Sequence, residues 1–97
     1  MLDTHPNHPA RIHIWITGRV QGVGFRIFVQ QSGTMFGLVG WVRNRGYDQV
    51  EVVAEGRREV LQRFLDVVKT GPRASHVDES REEWEMSTGE FERFEVR

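Results

Sequence analysis

The run Arg11-Ile12-His13-Ile14-Trp15-Ile16-Thr17 passes directly into Gly18-Arg19-Val20-Gln21-Gly22-Val23-Gly24, and that loop into Phe25-Arg26-Ile27-Phe28-Val29. In the first seven residues Ile12, Ile14 and Ile16 alternate with Arg11, His13, Trp15 and Thr17, the period of two of a half-buried strand. From Phe25 to Phe36 the sequence reads as a helix, stopped at Gly37, with Gly33 a weak point inside it. Three glycines in seven residues therefore join a strand to a helix N-terminus. The first N–H groups of a helix have no internal acceptor, and the dipole there favours a negative charge. Arg26 stands in that first turn, where a cation is unfavourable unless an anion offsets it. The residues alone leave two readings open: an anion cradle armed by Arg26, or a tight turn beside a solvated arginine.

Outward from this unit, Leu38 to Arg45 reads as a second strand. After a short turn, Val50, Val52 and Ala54 alternate with Glu51, Val53 and Glu55, which completes a hairpin. Gly56 separates the hairpin from a second helix in which Val60, Leu61, Phe64, Leu65 and Val68 share one face; it stops near Gly71-Pro72. Ser75 to Met86 is a polar strand, and Phe91 to Val96 a short closing one. The order strand, helix, strand, strand, helix, strand predicts an α+β, ferredoxin-like split βαβ arrangement. Two helices lie on one face of a mainly antiparallel sheet of four strands plus a short fifth. Residues 1–10, polar and carrying Pro6 and Pro9, read as a flexible N-terminal tail, and 11–97 as the domain.

With 97 residues, 38% of them apolar, the chain has material for one core. It has no cysteine, which removes disulfides, thiolate nucleophiles and Cys-ligated zinc from consideration. The N-terminal stretch lacks the apolar segment of a secretory signal, and no run reaches membrane-span length; a cytoplasmic monomer is the expectation. Net charge is −1, but Arg11 to Arg45 holds five arginines and no acid, while Asp48 to Arg97 holds thirteen of the fourteen acids against eight basic residues. An anion-attracting region and an acidic back follow.

Other phosphate and nucleic-acid motifs fail. No Gly-Lys-Ser/Thr is present, and Gly22-Val23-Gly24 lacks the third glycine of a dinucleotide fingerprint. Gly24-Phe25-Arg26-Ile27-Phe28-Val29 resembles an RNA-stacking strand only superficially, since it follows a loop and begins a helix. His5, His8, His13 and His76 lack metal-ligand spacing within an element, so no metal and no cofactor is expected. Trp15, Trp41 and Trp84 read as packing or surface aromatics.

Two segments, Gly18-Arg19-Val20-Gln21-Gly22-Val23-Gly24-Phe25-Arg26 and Gly40-Trp41-Val42-Arg43-Asn44, resemble the paired signatures of acylphosphatases, and the similarity runs from Ile12 to Arg97. Val50 to Gly56 and Thr88-Gly89-Glu90-Phe91 extend it. The resemblance implies hydrolysis of small acyl phosphates. Main-chain N–H groups of Arg19, Val20, Gln21, Gly22, Val23 and Gly24 would cradle the phosphoryl oxygens, Arg26 would bind two of them, and the Asn44 carboxamide would orient a water. Arg43 and Arg45, by strand alternation, point away from the Asn44 face and are read as solvated or as long-range attractors.

Two departures stand out. The family's turn after the asparagine carries Asp-Gly before the valine, whereas here Tyr47 and Asp48 occupy those places and Gly46 comes earlier. The residue with positive φ is thus moved, or taken by Asp48. If the turn displaces Asn44, the fold would serve as a non-catalytic anion-binding or regulatory module instead. In the polar strand, Glu82 falls on the parity that should be apolar, and is expected to reach solvent or an arginine.

Overall fold

The isoleucine alternation becomes β1 (Pro9–Arg19) in the computed structural model, which describes residues 2–97. It is followed by α1 (Phe25–Met35), β2 (Val39–Arg45), β3 (Gln49–Arg57), α2 (Arg58–Thr70), β4 (His76–Glu85) and β5 (Phe94–Val96). The five strands form one sheet in the order β4-β1-β3-β2-β5. β1 pairs antiparallel with β3 and β4, β2 antiparallel with β3, and β5 parallel with β2. Among the described residues no helix is long and apolar enough to cross a membrane.

One face of the sheet meets both helices. Ile12, Ile14 and Ile16 of β1 and Val50, Val52 and Ala54 of β3 pack there against Phe25 and Val29 of α1 and against Val60, Leu61, Phe64, Leu65 and Val68 of α2. Gly33, the weak point of α1, has a packing reason: a Cβ built there would lie 2.4 Å from the Phe94 ring, so glycine lets β5 dock its one buried aromatic against the helix. Glu82, register partner of Ile14, is half-buried and keeps access to solvent.

The other face departs from simple alternation. Glu51, Val53 and Glu55, which alternate with the helix-facing residues of β3, are all buried as well. β3 is the central strand, and the long side chains of its neighbours close over it. His13 Nε2 lies 2.7 Å from Glu51, and Arg43 Nε donates to the same carboxylate at 2.8 Å. Arg43 is thus an ion-pair partner of a buried acid as well as a partly exposed cation. Glu55 accepts from the main-chain N–H groups of Thr88 and Gly89, from the Thr88 hydroxyl, and from Arg11. Trp15 and Trp41 are buried in this layer, and Arg81 stacks over Trp15 at 4.1 Å.

Burial alone would push both carboxyl pKa values up. For Glu55 the Gly89 and Thr88 donors and Arg11 outweigh it, and for Glu51 Arg43 and His13 do, so both sit below the ordinary 4.5. A depressed folded-state pKa contributes stability that is present above the unfolded value and is lost as pH falls through the folded one. Stability should therefore decline below about pH 4.5. Glu55→Ala, which leaves the main-chain donors of Thr88 and Gly89 unpaired and takes from Arg11 one of its carboxylate partners, should cost about 3 kcal/mol and flatten that acid limb. Urea midpoints from pH 3 to 7, roughly spanning the titration, would check this; an unchanged midpoint would contradict the account.

The segment assigned to the tail reaches into the fold. Pro9 and Ala10 belong to β1, and Ala10 is buried in the core. Ahead of them, the carbonyls of Pro6 and His8 accept from the N–H groups of Glu59 and Arg58. These bonds serve the N-terminus of α2, which has no side-chain cap of its own.

Candidate active site

The loop between β1 and α1 is shaped by its glycines. Gly22 and Gly24 have φ of +73° and +77°, with nothing within 4 Å of a Cβ at either, so they are required for backbone conformation and not for space. Gly24 is the N-cap of α1; no side chain caps the helix, and its first turn holds no acid. The N-terminal positive end of the dipole is thus left uncompensated at the loop. Val20 is 1% exposed and anchors the loop in the core.

Gln21 ties this loop to the β2–β3 turn. Its Nε2 donates to the carbonyls of Gly46, at 3.0 Å, and Gln49, at 2.9 Å, while Gly18 N–H donates to Asp48 O at 2.9 Å. The turn is a three-residue connection, Gly46 to Asp48, closed by the Arg45–Gln49 pair. Its left-handed residue is Gly46, with φ of +62°, and no residue other than glycine has positive φ among those described. The left-handed conformation thus falls on Gly46, and Tyr47 and Asp48 both keep negative φ.

Asn44 is the register partner of Val50, which puts it on the helix-facing side of the sheet at the exposed end of β2. Among the described residues its carboxamide makes no hydrogen bond. Arg26 projects from the first turn of α1. Its Nη1 donates to the main-chain oxygen of Arg97 at 3.1 Å, and no Asp or Glu side chain pairs with it among the described residues. Arg97 follows directly on β5, which runs beside β2, and its N–H donates to Val42 O at 2.8 Å.

These parts meet in a cavity of about 110 Å³ lined by Val20, Gly22, Gly24, Phe25, Arg26, Ile27 and Asn44. Arg19, Gln21 and Val23 lie outside the lining: Arg19 is exposed, Gln21 makes the tie just described, and Val23 packs on the core. The sequence reading missed the Gln21 side-chain tether and the Arg97 oxygen that steadies Arg26. A glutamine between two glycine turns is a weak local signal for the first; the second depends on a strand pairing with no local signal. A larger depression of about 340 Å³ lies on the opposite sheet face beside Trp15 and Arg45. It is open, and it holds neither the glycine loop nor a helix N-terminus, so the smaller cavity is the better candidate on chemistry.

The fold is a ferredoxin-like α+β domain in which a strand-to-helix glycine loop, an arginine and an unengaged carboxamide line one small cavity. The chain belongs to the acylphosphatase family, whose model matches residues 12–96. It is 46% identical over 89 residues to the acylphosphatase of Syntrophotalea carbinolica, covering 92% of this chain and 97% of that protein. The crystal structure of acylphosphatase from Bacillus subtilis superposes with a TM-score of 0.87 at 40% identity, over 91% of this chain and 98% of that one. Full-length HypF in its phosphate- and nucleotide-bound form gives a TM-score of 0.80 at 28% identity, over 98% of this chain but only 12% of HypF.

Proposed function

We propose that the loop, Arg26 and Asn44 together carry out the acyl phosphate hydrolysis that membership of this family gives the chain. The observation that carries the assignment of roles is the single small cavity lined by Arg26, Asn44 and the two left-handed glycines. The free N–H groups of the loop and helix end, with the Arg26 guanidinium, hold the phosphoryl oxygens as charge shifts in the transition state. The Asn44 carboxamide accepts from a water and aligns it opposite the leaving group.

In the reaction the water oxygen bonds to phosphorus, and the bond between phosphorus and the carboxylate oxygen breaks with its electron pair leaving on that oxygen. The carboxylate departs as a weak base and needs no proton, so the site can work without a general acid. The proton released by the water passes to a phosphoryl oxygen of the substrate. Every side chain in this scheme comes from one chain, and the reading is of a cytoplasmic monomer acting on small acyl phosphates without metal, cofactor, nucleic acid or membrane. The rival reading, a non-catalytic anion-binding module, drew on the altered turn; with the left-handed residue at Gly46 and Asn44 lining the cavity, that turn no longer argues for it.

Turnover of benzoyl phosphate in ¹⁸O-labelled water containing a chelator tests the scheme. Hydrolysis is expected to proceed, with the label in inorganic phosphate. Label in the benzoate would mean attack at the carbonyl, and loss of turnover in chelator would mean a required metal; either would contradict the mechanism.

A further inference from the structure

The cavity is too small to enclose an acyl phosphate that carries a bulky acyl group. At about 110 Å³ it lies well under the roughly 300–1,000 Å³ of pockets that bury a whole drug-sized ligand. It suits the phosphoryl group and leaves the acyl group at the mouth. What the acyl group meets there follows from the lining residues. Val20 and Phe25 are each only 1% exposed and have no surface to offer. Gly22 and Gly24 have no side chain, and the space beside them is open. Arg26 and Asn44 are engaged with the phosphoryl group and the water. Ile27 remains: it lines the same cavity and is 51% exposed, whereas the buried face of α1 is formed by Phe25, Val29 and Gly33.

Resting on the proposed hydrolysis, we infer that Ile27 is the acyl-contacting residue. The site accordingly favours acyl phosphates with an aryl or branched alkyl acyl group over those with a small or charged one. Two observations carry this. An apolar side chain half-exposed at the rim gains by covering apolar substrate surface. No side chain lining the cavity, apart from Arg26 and Asn44, can donate or accept a hydrogen bond, so nothing in the lining would read a hydroxyl, an amine or a second carboxylate on the acyl group. A lone exposed isoleucine needs no explanation on most surfaces; its position on the rim of the phosphate cavity is what gives this one a role.

The test compares kcat/KM for benzoyl phosphate and acetyl phosphate in wild type, Ile27→Ala and Ile27→Leu, with the inhibition constant of inorganic phosphate measured alongside. The ratio of benzoyl to acetyl specificity should fall about three- to tenfold in Ile27→Ala, recover in Ile27→Leu, and leave phosphate inhibition unchanged. An unchanged ratio would overturn the inference, as would a parallel loss on both substrates with weaker phosphate inhibition, which would make Ile27 a support for Arg26. Failure of wild type to hydrolyse either acyl phosphate would instead sink the proposed hydrolysis, a result separable from both.

Discussion

Arg26→Ala should lower kcat/KM for benzoyl phosphate by about a thousandfold while leaving the fold intact. Removing one preorganised donor to a transition-state oxygen costs about 10²- to 10³-fold in the systems where it has been measured. A guanidinium that engages two oxygens belongs at the upper end. The fold should survive because Arg26 is half-exposed and its side chain makes one hydrogen bond to the protein, to the Arg97 oxygen. A surface contact of that kind is worth about 1 kcal/mol or less. Circular dichroism and thermal unfolding of the variant should match wild type, and inorganic phosphate should inhibit it far more weakly. Arg26→Lys keeps the charge but loses the planar fork, and should recover only part of the rate. A folded Arg26→Ala enzyme with near wild-type kcat/KM would remove Arg26 from the mechanism.

Asn44→Ala should show a different kinetic pattern. The carboxamide makes no hydrogen bond to the described protein and sits at the exposed end of β2, so its loss should not unfold the chain. A misplaced nucleophile costs about a hundredfold or more, and the loss should fall on kcat. Phosphate inhibition should stay close to wild type, since the loop and Arg26 remain. Asn44→Asp puts a carboxylate beside the phosphoryl oxygens and should weaken phosphate inhibition as well as turnover, by like-charge repulsion. If Asn44→Ala weakened phosphate binding as much as Arg26→Ala does, Asn44 would be a binding residue and the water-positioning role would be wrong.

How far the sequence could be read follows from how local each signal is. α2 was fully legible: Val60, Leu61, Phe64, Leu65 and Val68 are its buried residues, because an amphipathic helix encodes its face in its own spacing. β1 was legible for the same reason with a period of two, although the strand begins at Pro9. β3 was only half legible. Its alternation marks the face that meets the helices, but burial of Glu51, Val53 and Glu55 depends on β1, β2 and the Thr88-Gly89 segment closing over the opposite face. Apart from Arg43, which faces Glu51 across the hairpin, the polar partners of those two acids are distant in sequence, so no window of the chain announces them.

The site divides in the same way. Gly22, Gly24 and Arg26 are close in sequence, and the strand-to-helix change of period around them raised an anion cradle as one of two readings. Asn44 came from the paired signatures; on its own it reads as a turn residue. The Arg97 oxygen on Arg26 and the Gln21 bonds to Gly46 and Gln49 link segments brought together only by the finished sheet. The Gly46 turn lay between. Gly46 was visible as the one glycine between Asn44 and Val50, yet whether it or Asp48 took the positive φ depended on a three-residue connection closing at Arg45 and Gln49.

The central claim is a division of labour, in which the loop and Arg26 hold phosphate and Asn44 serves only the water. The inhibition constant of inorganic phosphate, measured side by side for wild type, Arg26→Ala and Asn44→Ala, tests it most directly. The account predicts tight and equal inhibition of wild type and Asn44→Ala, with strongly weakened inhibition of Arg26→Ala. Equal inhibition of all three, or a shift confined to Asn44→Ala, would contradict it.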